Sequence, residues 1–352
     1  MSLVGKIPVS LLTGFLGSGK TTLLNRLVRH PGMARALVVI NEFGEIGLDH
    51  DLVERATDDM VLLQSGCLCC TVRSDVIETL LDMLNKVKRG EVKPFERVVI
   101  ETTGLADPAP ILQAFMSDPQ MTRYFALDGV IATVDAVAGA ATLDRHVEAV
   151  KQAAVADRLL ITKADLPEAT RATLEPRLRR LNPGAPIRAI APDDEVDPAL
   201  LFDVGLYDPA SKSLDVRRWL DDEKYLEQAH HGHDHAHDHG HHQAPDVNRH
   251  DAHIRAVCLT FDAPIAGETL DRWLNALLRL RGPDLLRFKA IVNVAELPGP
   301  LVLHGVQHVI HPPLALKQWP SEDRRTRMVF ITYDIDEALL RESFRDTVAA
   351  LA

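Results

Sequence analysis

Cysteine is scarce in this chain: four among 352 residues, three of them within positions 67–70. A disulfide framework is thereby excluded, because adjacent Cys69 and Cys70 would close only a strained ring and the N-terminus lacks a secretory pattern. No apolar run approaches the length that spans a bilayer. No Lys/Arg cluster interleaved with aromatic residues occurs, and 50 acidic against 39 basic residues leave a formal net charge of −11, which argues against nucleic-acid binding. No internal repeat is found. What remains is the expectation of a soluble cytoplasmic protein with no membrane or nucleic-acid partner. Its 46% apolar content supplies enough core for two domains.

Residues 14–21 read Gly14-Phe15-Leu16-Gly17-Ser18-Gly19-Lys20-Thr21, between the apolar run Ile7 to Leu12 and a helical run that starts at Thr22. Glycines let successive backbone N–H groups turn toward an anion, and the helix N-terminus adds its positive dipole end. Lys20 reaches the β- and γ-phosphates of a nucleotide and Thr21 offers its hydroxyl to Mg²⁺. Downstream, Arg97-Val98-Val99-Ile100-Glu101-Thr102-Thr103-Gly104 is a buried strand ending in a carboxylate and then a glycine. These positions suit an acid linked to Mg²⁺ and a γ-phosphate sensor. Asp128 to Asp135 forms a further buried strand. Arg158 to Ile161 then leads into Thr162-Lys163-Ala164-Asp165, where a carboxylate at a strand end accepts from the N1 and N2 donors of guanine, a donor pair that adenine lacks. GTP is therefore the expected nucleotide.

The clustered thiols Cys67, Cys69 and Cys70 lie between a strand over Met60 to Leu63 and a helix beginning near Arg73. In an extended stretch Cys67 and Cys69 share one side, and Cys70 swings in as the chain turns. Three converging thiolates suit Zn²⁺, and a helix N-terminus favours their ionised form. Tetrahedral zinc is then one ligand short. Glu42, and with less weight Glu45, after the strand Ala36 to Ile40, are the carboxylate candidates, in a segment from Asn41 to Asp49 placed to respond to a γ-phosphate. Cys258, in the run Val257 to Phe261, is expected to be plain core.

Eight of the 16 histidines fall in thirteen positions: His230, His231, His233, His235, His237, His239, His241 and His242. With Gly, Asp and nothing apolar larger than Ala, the tract cannot build a core, while its imidazoles and carboxylates suit Zn²⁺, Co²⁺ or Ni²⁺. It reads as a collector or buffer of metal, with an inert linker as the bland alternative. His304, His308 and His311 are expected to be structural or exposed.

Strands and helices alternate through Leu206, which predicts an α/β fold: a doubly wound, mostly parallel sheet with a second, smaller α+β domain at the C-terminus. The expected division is 1–206, a linker at 207–253 carrying a polar helix over Val216 to Gln228 and the His tract, and 254–352. In that last part the pattern predicts strands over Ile254 to Phe261, Leu286 to Val294, Pro300 to Val309 and Arg327 to Tyr333. Helices are expected over Glu268 to Leu280 and Asp336 to Leu351.

Taken in this order, the phosphate loop, Gly66-Cys67-Leu68-Cys69-Cys70, Glu101 to Pro108, Lys163-Ala164-Asp165 and the His tract resemble the CobW-type metallochaperone GTPases over essentially the whole chain. The resemblance implies a P-loop NTPase fold and a GTP-hydrolysing enzyme. It implies carriage of Zn²⁺, or a related divalent ion such as Co²⁺, on Cys67, Cys69 and Cys70, and delivery to metal-dependent client proteins that the C-terminal part contacts. Lys20, Thr21 and the loop from Gly14 through Thr22 would hold Mg-GTP, Glu101 would organise the Mg²⁺ shell or the attacking water, Gly104 would sense the γ-phosphate, and Asp165 would read guanine beside Lys163. One position departs from the pattern: Thr162 stands where the guanine motif commonly starts with Asn. A cobalt-handling GTPase for cobalamin synthesis and a non-enzymatic metal buffer are the rival readings.

Overall fold

Short runs of Val, Ile and Leu bounded by glycine or a charged residue are buried on both faces, which is the condition for a parallel sheet. The computed structural model describes residues 5–40, 72–191, 193–202, 253–319 and 322–351. Two compact units divide the described residues: the first lies within Met1–Ala140, Ala156–Leu174 and Ala185–Asp208, the second within Ala141–Val155, Glu175–Gly184 and Pro209–Ala352.

In chain order the elements up to residue 202 are β1 (Ile7–Gly14), α1 (Lys20–Leu27), β2 (Ala36–Ile40), α2 (Val72–Arg89), β3 (Arg97–Glu101), α3 (Ala109–Ser117), α4 (Pro119–Tyr124), β4 (Phe125–Asp135), α5 (Gly139–Arg145), α6 (Val147–Val155), β5 (Arg158–Thr162), α7 (Arg171–Leu181), β6 (Ile187–Ala189) and α8 (Pro198–Leu201). The six strands form one sheet in the order β2-β3-β1-β4-β5-β6, every pairing parallel. Register aligns Leu12 and Ile40 with Glu101, Gly14 with Thr133, and Asp135 with Thr162. The C-terminal ends of five strands therefore line one edge, where ligands gather in such sheets. Helix α1 presents Leu23, Leu24 and Leu27 at i, i+1 and i+4 to Leu12, Val38, Val99, Ile131 and Leu160 of the sheet. A bulge between Val9 and Ser10 leaves Asp128 as the extra residue of β4, and its carboxylate accepts from Ser10 Oγ at 2.8 Å and Arg97 at 3.3 Å.

The second unit contains β7 (Ile254–Phe261), α9 (Gly267–Arg281), β8 (Leu285–Val292), β9 (Leu301–Val306), β10 (Val309–Ile310), β11 (Leu314–Ala315), β12 (Thr326–Tyr333) and α10 (Glu337–Leu351). Its antiparallel sheet runs β10-β9-β8-β12-β7, with β11 paired to β9. Trp273 and Leu270 of α9 and Leu340 and Phe344 of α10 pack on Val257, Leu259, Phe288 and Phe330. Trp273 stands edge-on to Phe344 at 4.8 Å and to Phe330 at 5.9 Å. The same unit draws in Ala141–Val155 and Glu175–Gly184. Arg287 donates to the Val155 carbonyl, and Asn182 donates to the carbonyls of Ala153 and Ala154, both at 3.0 Å.

Two expectations are corrected here. The single strand expected over Pro300 to Val309 is a hairpin, because Gln307 enters the left-handed region at φ 53° and its N–H donates to the Leu285 carbonyl at 2.7 Å. Cys258 is half-buried and not plain core: the pleat turns Val257 and Leu259 into the core and leaves Cys258 on the other face. His304 is buried on β9, His308 is exposed and His311 is half-exposed. Among the described residues no group of three or more His, Cys, Asp or Glu side chains is arranged to hold a metal.

Candidate nucleotide-binding site

The loop after β1 keeps its shape because three positions lack a side chain. Gly14 has φ 141°, and a Cβ there would lie 2.4 Å from Thr133 Oγ1 and 2.5 Å from the Thr133 carbonyl oxygen. Gly17 and Gly19 are left-handed at φ 73° and 88°. The Ser18 N–H donates to the Phe15 carbonyl at 3.1 Å, closing the turn. Gly19 caps α1 without any side-chain hydrogen bond, so the first amides of that helix keep their capacity for an anion.

The functional side chains are held by the same elements. Lys20 is buried at 8% exposure, and its ammonium donates to the carbonyls of Gly14 at 2.8 Å and Phe15 at 3.1 Å. Thr21 Oγ1 donates to Glu101 Oε1 at 2.7 Å, joining the start of α1 to the end of β3. Together with Leu16, Gly17, Thr22, Gly104 and Lys163, these groups line a cavity of about 370 Å³.

Thr162 is buried at the end of β5. Its hydroxyl donates to the Ser18 carbonyl at 2.7 Å and lies 3.3 Å from the Val134 carbonyl, tying the end of β5 to the phosphate loop. A Cβ on Gly19 would make only ordinary van der Waals contact with the Thr162 side chain, at 3.5 Å, so it is the left-handed φ of 88° that calls for glycine there. Lys163, left-handed at φ 55°, pairs with Asp135 at 2.6 Å. Burial opposes ionisation of Asp135, but the Lys163 ammonium and the Val137 and Ala138 amides outweigh it and hold the carboxyl below its ordinary value. This pairing is complete above the ordinary carboxylate range and is lost as pH falls through the lowered value.

The structure thus gathers Gly17, Gly19, Lys20, Thr21, Thr22, Glu101, Gly104 and Lys163 around one space; Gly14 is hydrogen-bonded to Lys20, and Ser18 to Thr162, without lining it. Ser18 contributes backbone only, since its hydroxyl is turned to Thr133 Oγ1 at 2.7 Å. Asp165 is exposed and does not line the cavity. Cys67, Cys69, Cys70, Glu42, Glu45, the Asn41 to Asp49 segment, the Met60 to Leu63 strand, the Val216 to Gln228 helix and His230 to His242 lie outside the described residues. Sequence reasoning missed Asp135 as a site residue. The available signal was a carboxylate ending a buried strand next to the Lys163 strand.

Residues 8–189 match the nucleotide-binding domain described as CobW/HypB/UreG, and residues 254–348 match the cobalamin synthesis protein cobW C-terminal domain. The chain belongs to the CobW family. Among its relatives, the zinc chaperone YjiA of Escherichia coli is 32% identical over 339 residues, covering 96% of this chain and 98% of that protein. The zinc chaperone CobW of a Sinorhizobium species is 30% identical over 371 residues, with 96% of each chain covered. The crystal structure of the Zn(II)-bound E. coli YjiA GTPase superposes with a TM-score of 0.71 at 28% identity, covering 98% of this chain and 99% of that one.

In this CobW-family chain Gly104 has a steric reason. A Cβ on it would lie 2.6 Å from the backbone nitrogen of Leu16 and 2.7 Å from its Cα, so the residue after β3 rests directly on the phosphate loop. Gly104→Ala is expected to push that loop aside, weakening binding of a nucleoside triphosphate analogue at least about tenfold and lowering stability by about 1–3 kcal/mol. Isothermal titration and thermal unfolding check this; unchanged values in both would show that the loop yields freely.

Proposed function

We propose that this protein is a GTP-hydrolysing metallochaperone that carries Zn²⁺ on Cys67, Cys69 and Cys70 and transfers it to client proteins. The observation that carries the reading is the Thr21 to Glu101 hydrogen bond at 2.7 Å beside the buried Lys20, in a chain that aligns almost end to end with proteins named zinc chaperones. The hydroxyl and the carboxylate are hard oxygen donors of the kind Mg²⁺ accepts while keeping several of its waters, so the residues fit that ion. Bound there, Mg²⁺ would neutralise phosphate charge. Lys20 and the loop amides bind and orient the β- and γ-phosphates, and Glu101 orients the water or its hydrogen-bonded neighbours.

Three thiolates are soft ligands that favour zinc over harder divalent ions, and their shell is one ligand short, which lets the cargo leave. Glu42 serves as the part-time fourth ligand. The His tract, from His230 to His242, collects metal weakly. In this reading the nucleotide-binding part is 1–206, the His-bearing linker is 207–253, and 254–352 meets the client. No helix of the described residues is long and apolar enough to cross a membrane, in keeping with a cytoplasmic site of action.

Asp165 reads guanine through its N1 and N2 donors once the base is seated. Asp165→Ala should reduce the preference for GTP over ATP by at least about tenfold, since it leaves two donors unpaired. Competition against a fluorescent guanine nucleotide measures it, and equal displacement by ATP and GTP in the unmutated protein would remove the assignment.

Coupling between the two ligands separates a chaperone from a protein that merely binds both. Zinc affinity measured with GDP and with a non-hydrolysable GTP analogue should differ by about 5- to 150-fold, and zinc should change affinity for the analogue by the same factor. Identical affinities in both nucleotide states, with hydrolysis indifferent to zinc, would defeat the proposal.

A further inference from the structure

Away from the nucleotide cavity, α2 and α4 border a second cavity of about 330 Å³. Leu81, Leu84 and Pro119 give it apolar walls, and the side-chain amides of Asn85 and Gln120 add donors and acceptors. Its remaining lining is an aromatic ring with two cations: the Lys88 ammonium is 5.1 Å from the Tyr124 ring centroid, and the Arg123 guanidinium is 5.3 Å from it.

The surrounding carboxylates are engaged elsewhere. Asp82 pairs with Lys86 at 2.7 Å, Glu91 pairs with Arg89 at 2.5 Å, and Asp118 caps α4 by accepting from the Gln120 and Met121 amides. No carboxylate among the described residues forms an ion pair with Lys88 or Arg123. In a chain with 50 acidic and 39 basic residues, two exposed cations turned to one ring and left unneutralised stand against the overall charge. A ring quadrupole attracts cations without cancelling them, so both retain their capacity for a carboxylate.

We propose that this cavity receives an acidic, leucine-bearing segment of a partner protein. The partner's carboxylates meet Lys88 and Arg123, its leucine enters between Leu81, Leu84 and Pro119, and its backbone meets Asn85 and Gln120. Arg and Tyr, both present in the lining, are among the residue types that dominate binding energy at protein interfaces. A phosphate polymer or an anionic membrane fits less well, because the net charge of −11 repels an extended anion while a short acidic segment meets only the local pair. The proposal requires a protein partner but neither zinc nor GTP, and it stands or falls separately from the metallochaperone reading.

The test uses the full chain and a fluorescein-labelled peptide, Ser-Leu-Glu-Asp-Leu-Leu-Gly, with its Gln/Asn counterpart, read by fluorescence anisotropy. The acidic peptide is expected to bind at least about tenfold more tightly than the amide form, and to weaken as salt rises. The double variant Lys88→Gln, Arg123→Gln should erase that difference while its thermal midpoint, GTP hydrolysis and zinc affinity match the unmutated protein. Equal binding of the two peptides, or an acidic preference that survives in the double variant, would overturn the proposal. So would binding of single-stranded DNA or phosphatidylserine vesicles that is lost in the double variant while the acidic peptide stays unbound.

Discussion

Lys20→Ala should lower GTP hydrolysis by about a hundredfold to a thousandfold at saturating nucleotide, the loss typical of removing one preorganised donor to developing charge. In the structure the Lys20 ammonium is already aimed and largely dry, held by the carbonyls of Gly14 and Phe15. The alanine variant also leaves both carbonyls without that donor, so weaker binding of a GTP analogue is expected alongside the slower rate. Single-turnover hydrolysis separates the two effects. A rate within about threefold of the unmutated protein would mean that another cation acts on the phosphates, well short of the typical donor effect.

Replacing Cys67, Cys69 and Cys70 together by Ser should remove the tightest metal site, with zinc affinity in a chelator competition falling at least about a thousandfold, because hydroxyls neither ionise nor polarise as thiolates do. Affinity for a GTP analogue in the absence of zinc should stay within about twofold, since Lys20, Thr21 and Glu101 assemble the nucleotide cavity from other parts of the chain. Unaltered zinc affinity would move the cargo site to the His tract and turn the protein into a buffer. Lowering the pH of the unmutated protein should mimic the variant in degree, as protons compete with metal for sulfur.

Much of this architecture could be read from residue order because local cues carried it. The phosphate loop and its flanking strand and helix are contiguous, and β7 and α10 fall within a residue of their expected bounds because periodicity and terminal punctuation agree. What escaped depends on pairing across distance. Asp135 joins the site through the β4 to β5 register that aligns it with Thr162, next to Lys163, and no local pattern encodes that alignment. The departure at Thr162 is plain in the sequence, but not that its hydroxyl donates to the Ser18 carbonyl, 144 residues away. The turn at Gln307 was invisible because glutamine is not a turn former, and the backbone there is held by the Leu285 carbonyl. The place of Ala141–Val155 in the second unit likewise depends on contacts distant in sequence, among them the one from Arg287 to Val155.

Strand β1 leaves the ribosome before every other strand of its sheet yet lies in the middle of it, between β3 and β4. It gains both neighbours only once the chain has grown from Gly14 to Asp135, 135 − 14 = 121 residues later. At about 5–20 residues per second this leaves an apolar strand with at least one open edge for roughly 6–24 s of synthesis. An antiparallel hairpin would close such an edge within microseconds. The yield of the nascent chain in cells should therefore depend on holdase capacity during translation far more than the finished protein's stability would indicate.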